Sequence, residues 1–134
     1  MVRNKIKVVL DTNVIVSAIV FGGVPKQVLS LIFKGEFIGV TSTTLMAELS
    51  EVMHKKFPFK KLDLEYLEKL METDFEIVRP RNSLKSARDD DDNRVLEAAV
   101  TGECYYIVTG DEDLLILKKY KNIKILTPSE FLEI

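Results

Sequence analysis

Four regions of this chain place carboxylates where they could share one cation. Four aspartates, Asp89-Asp90-Asp91-Asp92, stand directly before an apolar helical stretch, Asn93-Arg94-Val95-Leu96-Glu97-Ala98-Ala99-Val100. Adjacent carboxylates repel one another. A helix N-terminus offsets this by only about 0.3–1 kcal/mol per acid, so capping accounts for one or two aspartates but not for four. Asp11 follows the apolar run Val8-Val9-Leu10, and Asp111 and Asp113 follow Ile107-Val108-Thr109-Gly110. Glu48 is the fourth contributor. Converging carboxylates without histidine or cysteine ligands suit oxygen-loving Mg²⁺ or Mn²⁺ rather than zinc. The chemistry such clusters perform is phosphoryl transfer, with the metal activating water and neutralising charge at phosphorus.

For these acids to meet, the elements carrying them must place them on one edge. Short apolar runs alternate with longer helical patterns, which predicts an α/β domain with a parallel sheet. Strands are expected at residues 5–10, 37–41, 75–78, 105–109 and 124–126. Helices are expected at 13–21, from Pro25 to before Gly35, at 43–55 capped by Ser42 or Thr43, at 63–73, from the aspartate run to Gly102, and at 112–120, with a terminal turn opened by Pro128. Residues 79–88 read as a polar loop. In open parallel sheets ligands bind beyond the carboxyl ends of the strands, and Asp11 and Asp111 occupy equivalent positions after two strongly apolar strands.

Helical spacing selects among the remaining acids. Leu45, Leu49, Val52 and Met53 form the buried stripe of the helix over 43–55, and Glu48 borders it while Glu51 faces away. Asp92 lies three before Val95 and four before Leu96, so it belongs to the inward face. Asp90 and Asp91 are then free to cap the helix or stay solvated. His54 and Cys104 are single residues in patterned segments and read as structural.

The whole chain bounds these readings. Its 134 residues, 46% apolar and 30% charged, describe one globular domain over residues 1–134, without repeats or linkers. A formal charge of −2 gives no overall pull toward nucleic acid. The lone Cys104 cannot form an internal disulfide, which suits a reducing cytoplasm. Arg3, Lys5, Lys7 and Asp11 interrupt the first apolar residues, so no signal peptide is expected, and no apolar run reaches the ~20 residues of a membrane span.

Taken in order, the residues resemble the PIN domain, a family of Mg²⁺/Mn²⁺-dependent ribonucleases. Asp11-Thr12-Asn13 is similar to its opening motif, Glu48 to its helix-borne glutamate, and Asp92 with Val95, Leu96, Ala98 and Ala99 to its later helix start. Thr109-Gly110-Asp111-Glu112-Asp113-Leu114-Leu115 is similar to its last acidic motif. The resemblance implies a three-layer α/β/α sandwich around a parallel sheet of about five strands. It implies Asp11, Glu48, Asp92 and Asp111 as catalytic residues. Asp11, Asp92 and Asp111 would hold metal, Glu48 would bind it directly or through water, and Asp113 would be a ligand or a helper. Asn13 and Thr109 would orient the acids. The pattern looks most like the VapC-like toxin components of toxin–antitoxin pairs. That implies a single-stranded RNA substrate, a small antitoxin partner and a homodimer.

The basic sets Lys55, Lys56, Lys60, Lys61 and Lys118, Lys119, Lys121, Lys124 are candidate RNA contacts. Two rival readings stand beside this one. Asp11-Thr12-Asn13-Val14 is also similar to the nucleophile motif of haloacid dehalogenase phosphatases, although Asn13 stands where their general acid is needed and Glu48 would have no role. A non-catalytic RNA or protein interaction module would keep the fold without cutting.

Overall fold

The computed structural model describes residues 5–80 and 90–134, with the side chains of Asp90, Asp91 and Asp92 outside that description. The loop expected over 79–88 and the first aspartate of the run therefore fall largely or wholly outside the described residues.

Val8, Val9 and Leu10 decide the layering. They sit in strand β1 (Lys7–Leu10), and side chains alternate across a strand. Val8 and Leu10 enter one hydrophobic core, and Val9 enters a second. A strand apolar on both faces must be covered on both. The helices α1 (Thr12–Val20), α2 (Gly23–Phe33), α4 (Lys61–Asp74) and α7 (Pro128–Leu132) pack Val14, Val28, Leu64 and Phe131 into the first core. Helices α5 (Asp90–Thr101) and α6 (Glu112–Leu115) bring Leu96 and Leu114 to the second. Helix α3 (Thr43–Lys56) contributes to both, with Leu45 in the second core and Leu49 and Met53 in the first. Each fully buried residue of this kind stabilises the fold by about 1.5–3 kcal/mol.

Among the described residues the sheet has six strands in the order β3-β2-β1-β4-β6-β5. Strands β2 (Ile38–Ser42), β3 (Glu76–Val78), β4 (Tyr106–Val108) and β6 (Ile123–Leu126) all run parallel to β1. This is the mostly parallel, helix-flanked α/β sandwich expected. Order reverses between β1 and β4, which pair directly, Leu10 beside Val108. A parallel sheet opens its ligand crevice at such a point.

Local chemistry sets the element ends. Ser42 Oγ accepts from Leu45 N at 3.1 Å and caps α3. Gly35, at φ +81°, closes α2 in a conformation other residues rarely adopt. Thr127 and Glu130 form a capping box that starts α7.

One element departs from expectation. The helix expected over 112–120 stops at Leu115, and β5 (Lys119–Tyr120) follows, pairing antiparallel with β6 as a sixth strand. The apolar pattern suggested a longer helix, but Ile116 is 77% exposed and packs into no core. Lys118 turns the backbone at φ 60° and Lys121 closes the hairpin at φ 55°. The strand pairing outweighs a weak local helical pattern.

Candidate active site at the β1–β4 crevice

Asp11 extends β1 by one ladder bond, donating its N–H to the Val108 carbonyl at 2.9 Å before the chain enters α1. Its carboxylate is therefore fixed at the carboxyl edge of the sheet, and the residue is only 7% exposed. Thr109, fully buried at the end of β4, donates its hydroxyl to Asp11 Oδ2 at 2.6 Å. The same Thr109 oxygen accepts from the Asp111 N–H at 3.0 Å. Asp111 Oδ1 in turn accepts from the Asp113 N–H at 2.8 Å and caps α6. A continuous hydrogen-bonded chain thus runs from Asp113 through Asp111 and Thr109 to Asp11.

The electrostatics of this chain are unfavourable for bare carboxylates. Burial pushes the Asp11 carboxyl above the usual carboxylate range, and the nearby Asp111 charge pushes the same way. The Thr109 hydroxyl and the backbone N–H groups of Thr12 and Asn13 work against this shift. Next to Asp11, the Thr12 hydroxyl is buried and has no hydrogen-bond partner among the described residues. A buried, unpartnered hydroxyl costs about 1–3 kcal/mol.

Glu48 projects from α3 toward α5. Its side chain is 16% exposed, with Oε2 standing 3.8 Å from Arg94 Nη1 on α5. The Glu48 helix is thereby held against the first turns of α5, whose backbone carries Asp92 two residues earlier. Among the described residues no group of three or more His, Cys, Asp or Glu forms a metal cluster. The two carboxylates that do interact, buried Asp11 and half-buried Asp111, offer oxygen donors only, which suits a hard divalent cation.

Asn13 does not orient Asp11 through its side chain among the described residues. It is exposed in the first turn of α1 and lines a cavity of about 260 Å³ with Val14, Ser17, Pro25, Gly110, Asp111 and Pro128. Another hollow, about 340 Å³, is lined by Ser129 and Glu130 on α7 and by Glu133 just after it, with no candidate acid among its described walls.

The two candidate basic surfaces fall on the far end of α3 and on the β5–β6 hairpin. Helix α3 starts beside the carboxyl end of β2 and carries Lys55 and Lys56 at its far end, roughly 20 Å along at 1.5 Å per residue. Lys60 and Lys61 follow there. Lys118, Lys119, Lys121 and Lys124 surround the β5–β6 hairpin, at the amino end of β6. Sequence reasoning also passed over Thr12 and Arg94, whose only signals were their positions beside Asp11 and Asp92.

An α/β sandwich with acids at its switch point defines a carboxylate-site protein of the open-sheet class. The PIN domain family model matches residues 7–113. The chain belongs to the PIN domain family, whose members are generally metal-dependent nucleases. It is 34% identical to the uncharacterized protein MJ1680 of Methanocaldococcus jannaschii, over 99% of this chain and 94% of that one. Its fold is similar to that of VapBC2 from Rickettsia felis bound to a promoter DNA fragment, with TM-score 0.62 and 17% identity, covering 90% of this chain and 97% of that one. It is also similar to PAE2754 from Pyrobaculum aerophilum, with TM-score 0.61 and 13% identity over 97% of this chain and 89% of that one. No single helix among the described residues is long and apolar enough to cross a membrane.

Proposed function

We propose that this chain acts as a single-domain, Mg²⁺- or Mn²⁺-dependent endoribonuclease that hydrolyses phosphodiester bonds of single-stranded RNA. The observation that carries this reading is the buried Asp11 tied through Thr109 to Asp111 at the β1–β4 switch point of a PIN domain. Asp11, Asp111 and Asp92 would hold the metal, with Glu48 directly or through water and Asp113 as an adjunct. When bound, Mg²⁺ or Mn²⁺ supplies activation of water and neutralisation of the charge that builds on the phosphate. The protein's own part is positional. Thr109 fixes the rotamer of Asp11, the Asp113 N–H fixes that of Asp111, and Arg94 holds Glu48 near the start of α5.

The fold likeness to VapBC2 supports a biological role as the toxin of a toxin–antitoxin pair, neutralised by a small antitoxin protein; a homodimer is the assembly we propose for it. The phosphatase reading finds no second aspartate at position 13 and leaves Glu48 idle.

The test is single-stranded RNA incubated with Mn²⁺ or Mg²⁺, against chelator and against Asp11→Asn and Asp92→Asn. Metal-dependent cleavage lost in both variants is expected. Cleavage that survives chelator and both substitutions, or turnover of small phosphomonoesters with RNA untouched, would sink the proposal.

A further inference from the structure

The described lining of the cavity beside the acids is not that of a phosphate-binding pocket. Asp111 is the one charged residue among its described walls, and a carboxylate repels phosphate. Pro25, Pro128 and Val14 supply apolar surface, and Asn13 and Ser17 supply neutral hydrogen-bonding groups. At Gly110 the wall is open, because a Cβ built there would meet nothing within 4 Å. A volume of about 260 Å³ holds roughly nine waters at ~30 Å³ each, enough for one flat ring system. Apolar faces with a few convergent polar groups are how small ligand sites are built.

We propose that this cavity receives one nucleobase of the RNA strand, next to the cleaved phosphate, and that Asn13 reads that base. The proposal rests on the nuclease reading and adds the place where substrate choice is made. The side-chain amide of Asn13 offers a donor and an acceptor side by side, the geometry that pairs with a base edge. Ser17, one helical turn along α1, lies on the same wall and provides a further polar contact. The pocket is built from the starts of α1 and α2, the chain just after β4 and the start of α7. All four meet at the edge where Asp11 and Asp111 stand, so a base seated there keeps its phosphate beside the acids.

The experiment compares wild type, Asn13→Ala and Ser17→Phe on short single-stranded RNAs that carry each base, or an abasic site, at successive positions. Wild type is expected to prefer one base at one position by about ten-fold, and to lose that gain on the abasic RNA. Asn13→Ala and Ser17→Phe are expected to raise KM and flatten the preference with kcat little changed. Both should match wild type on the RNA that is abasic at that position. Equal losses on intact and abasic RNA, or an unchanged base preference, would overturn the proposal. If wild type cuts no RNA, the nuclease reading fails by itself. Fluorescence anisotropy of the same RNAs then decides the pocket: base-dependent binding lost in Asn13→Ala supports it, and base-independent or absent binding overturns it.

Discussion

The Thr109 hydroxyl donates to Asp11 Oδ2 at 2.6 Å, joining the ends of two strands 98 residues apart in sequence. The bond lies in a buried setting, where hydrogen bonds to a charged group contribute about 1.5–3 kcal/mol. It stabilises the ionised form of Asp11 against its burial.

Thr109→Val removes that bond while keeping the shape of the side chain. Asp11 then becomes harder to ionise, so the acidic limb of the kcat/KM profile should move to higher pH. Activity at neutral pH should fall at least ten-fold, and Thr109→Ser should restore both. An acidic limb that stays in place in Thr109→Val would show that Thr109 does not tune Asp11.

Asp11→Asn should stabilise the metal-free protein at pH 7. The carboxyl is raised in the fold, so the folded state holds its proton more tightly than the unfolded chain does. That contribution is fully present below the unfolded value of about 3.9 and is lost as pH rises through the folded value. At neutral pH the buried charge beside Asp111 is therefore a cost that asparagine removes. Thermal melts should show the variant a few degrees higher at pH 7, with the gap closing toward pH 4. Added Mn²⁺ should raise the melting temperature of wild type alone. A variant that melts lower than wild type at neutral pH would contradict this account.

Gly39→Ala tests the packing of β2 against α2 and the start of β3. A Cβ at Gly39 would lie 2.7 Å from Phe75 Cε2 and 2.8 Å from Ile32 Cγ2. Both neighbours are buried, so the strain has nowhere to go, and overpacking of this kind costs about 1–3 kcal/mol. Urea titration should show the loss as a lower midpoint with an unchanged slope. A midpoint equal to wild type would mean that the core yields at little cost.

Cys104 should resist thiol reagents in the folded protein. It is 5% exposed, and burial pushes its thiol up to about 12, outweighing the nearby Lys7. The thiolate is the reactive form, so labelling at pH 7–8 should be far slower than in urea. Rapid native labelling would show that the chain leading into β4 opens readily.

Much of this architecture was legible because it depends on short-range patterning. The double-sided apolar run Val8-Val9-Leu10 required a covered strand, and Ser42 and Gly35 marked where helices begin and end. Asp11 and Asp111 could be paired because each directly follows a buried strand. The β5–β6 hairpin was not legible, since the run after Glu112 carries a helical apolar pattern that only pairing with Ile123 and Lys124 overrides. The placement of the lysine clusters was also not legible. Their charge is visible in sequence, but the edge of the sheet on which they fall depends on strand direction.

The sequence by itself determined the acids, the strands that end at them and the PIN-type order in which they occur, because residue type and spacing are local properties. Only the tertiary structure decided that Thr109 bridges Asp11 and Asp111, that Glu48 meets Arg94, and that Asn13 lines a cavity with residues from Pro25 to Pro128. Those relationships arise where β1 and β4 become neighbours, and no local pattern specifies which residues face each other once distant strands have paired.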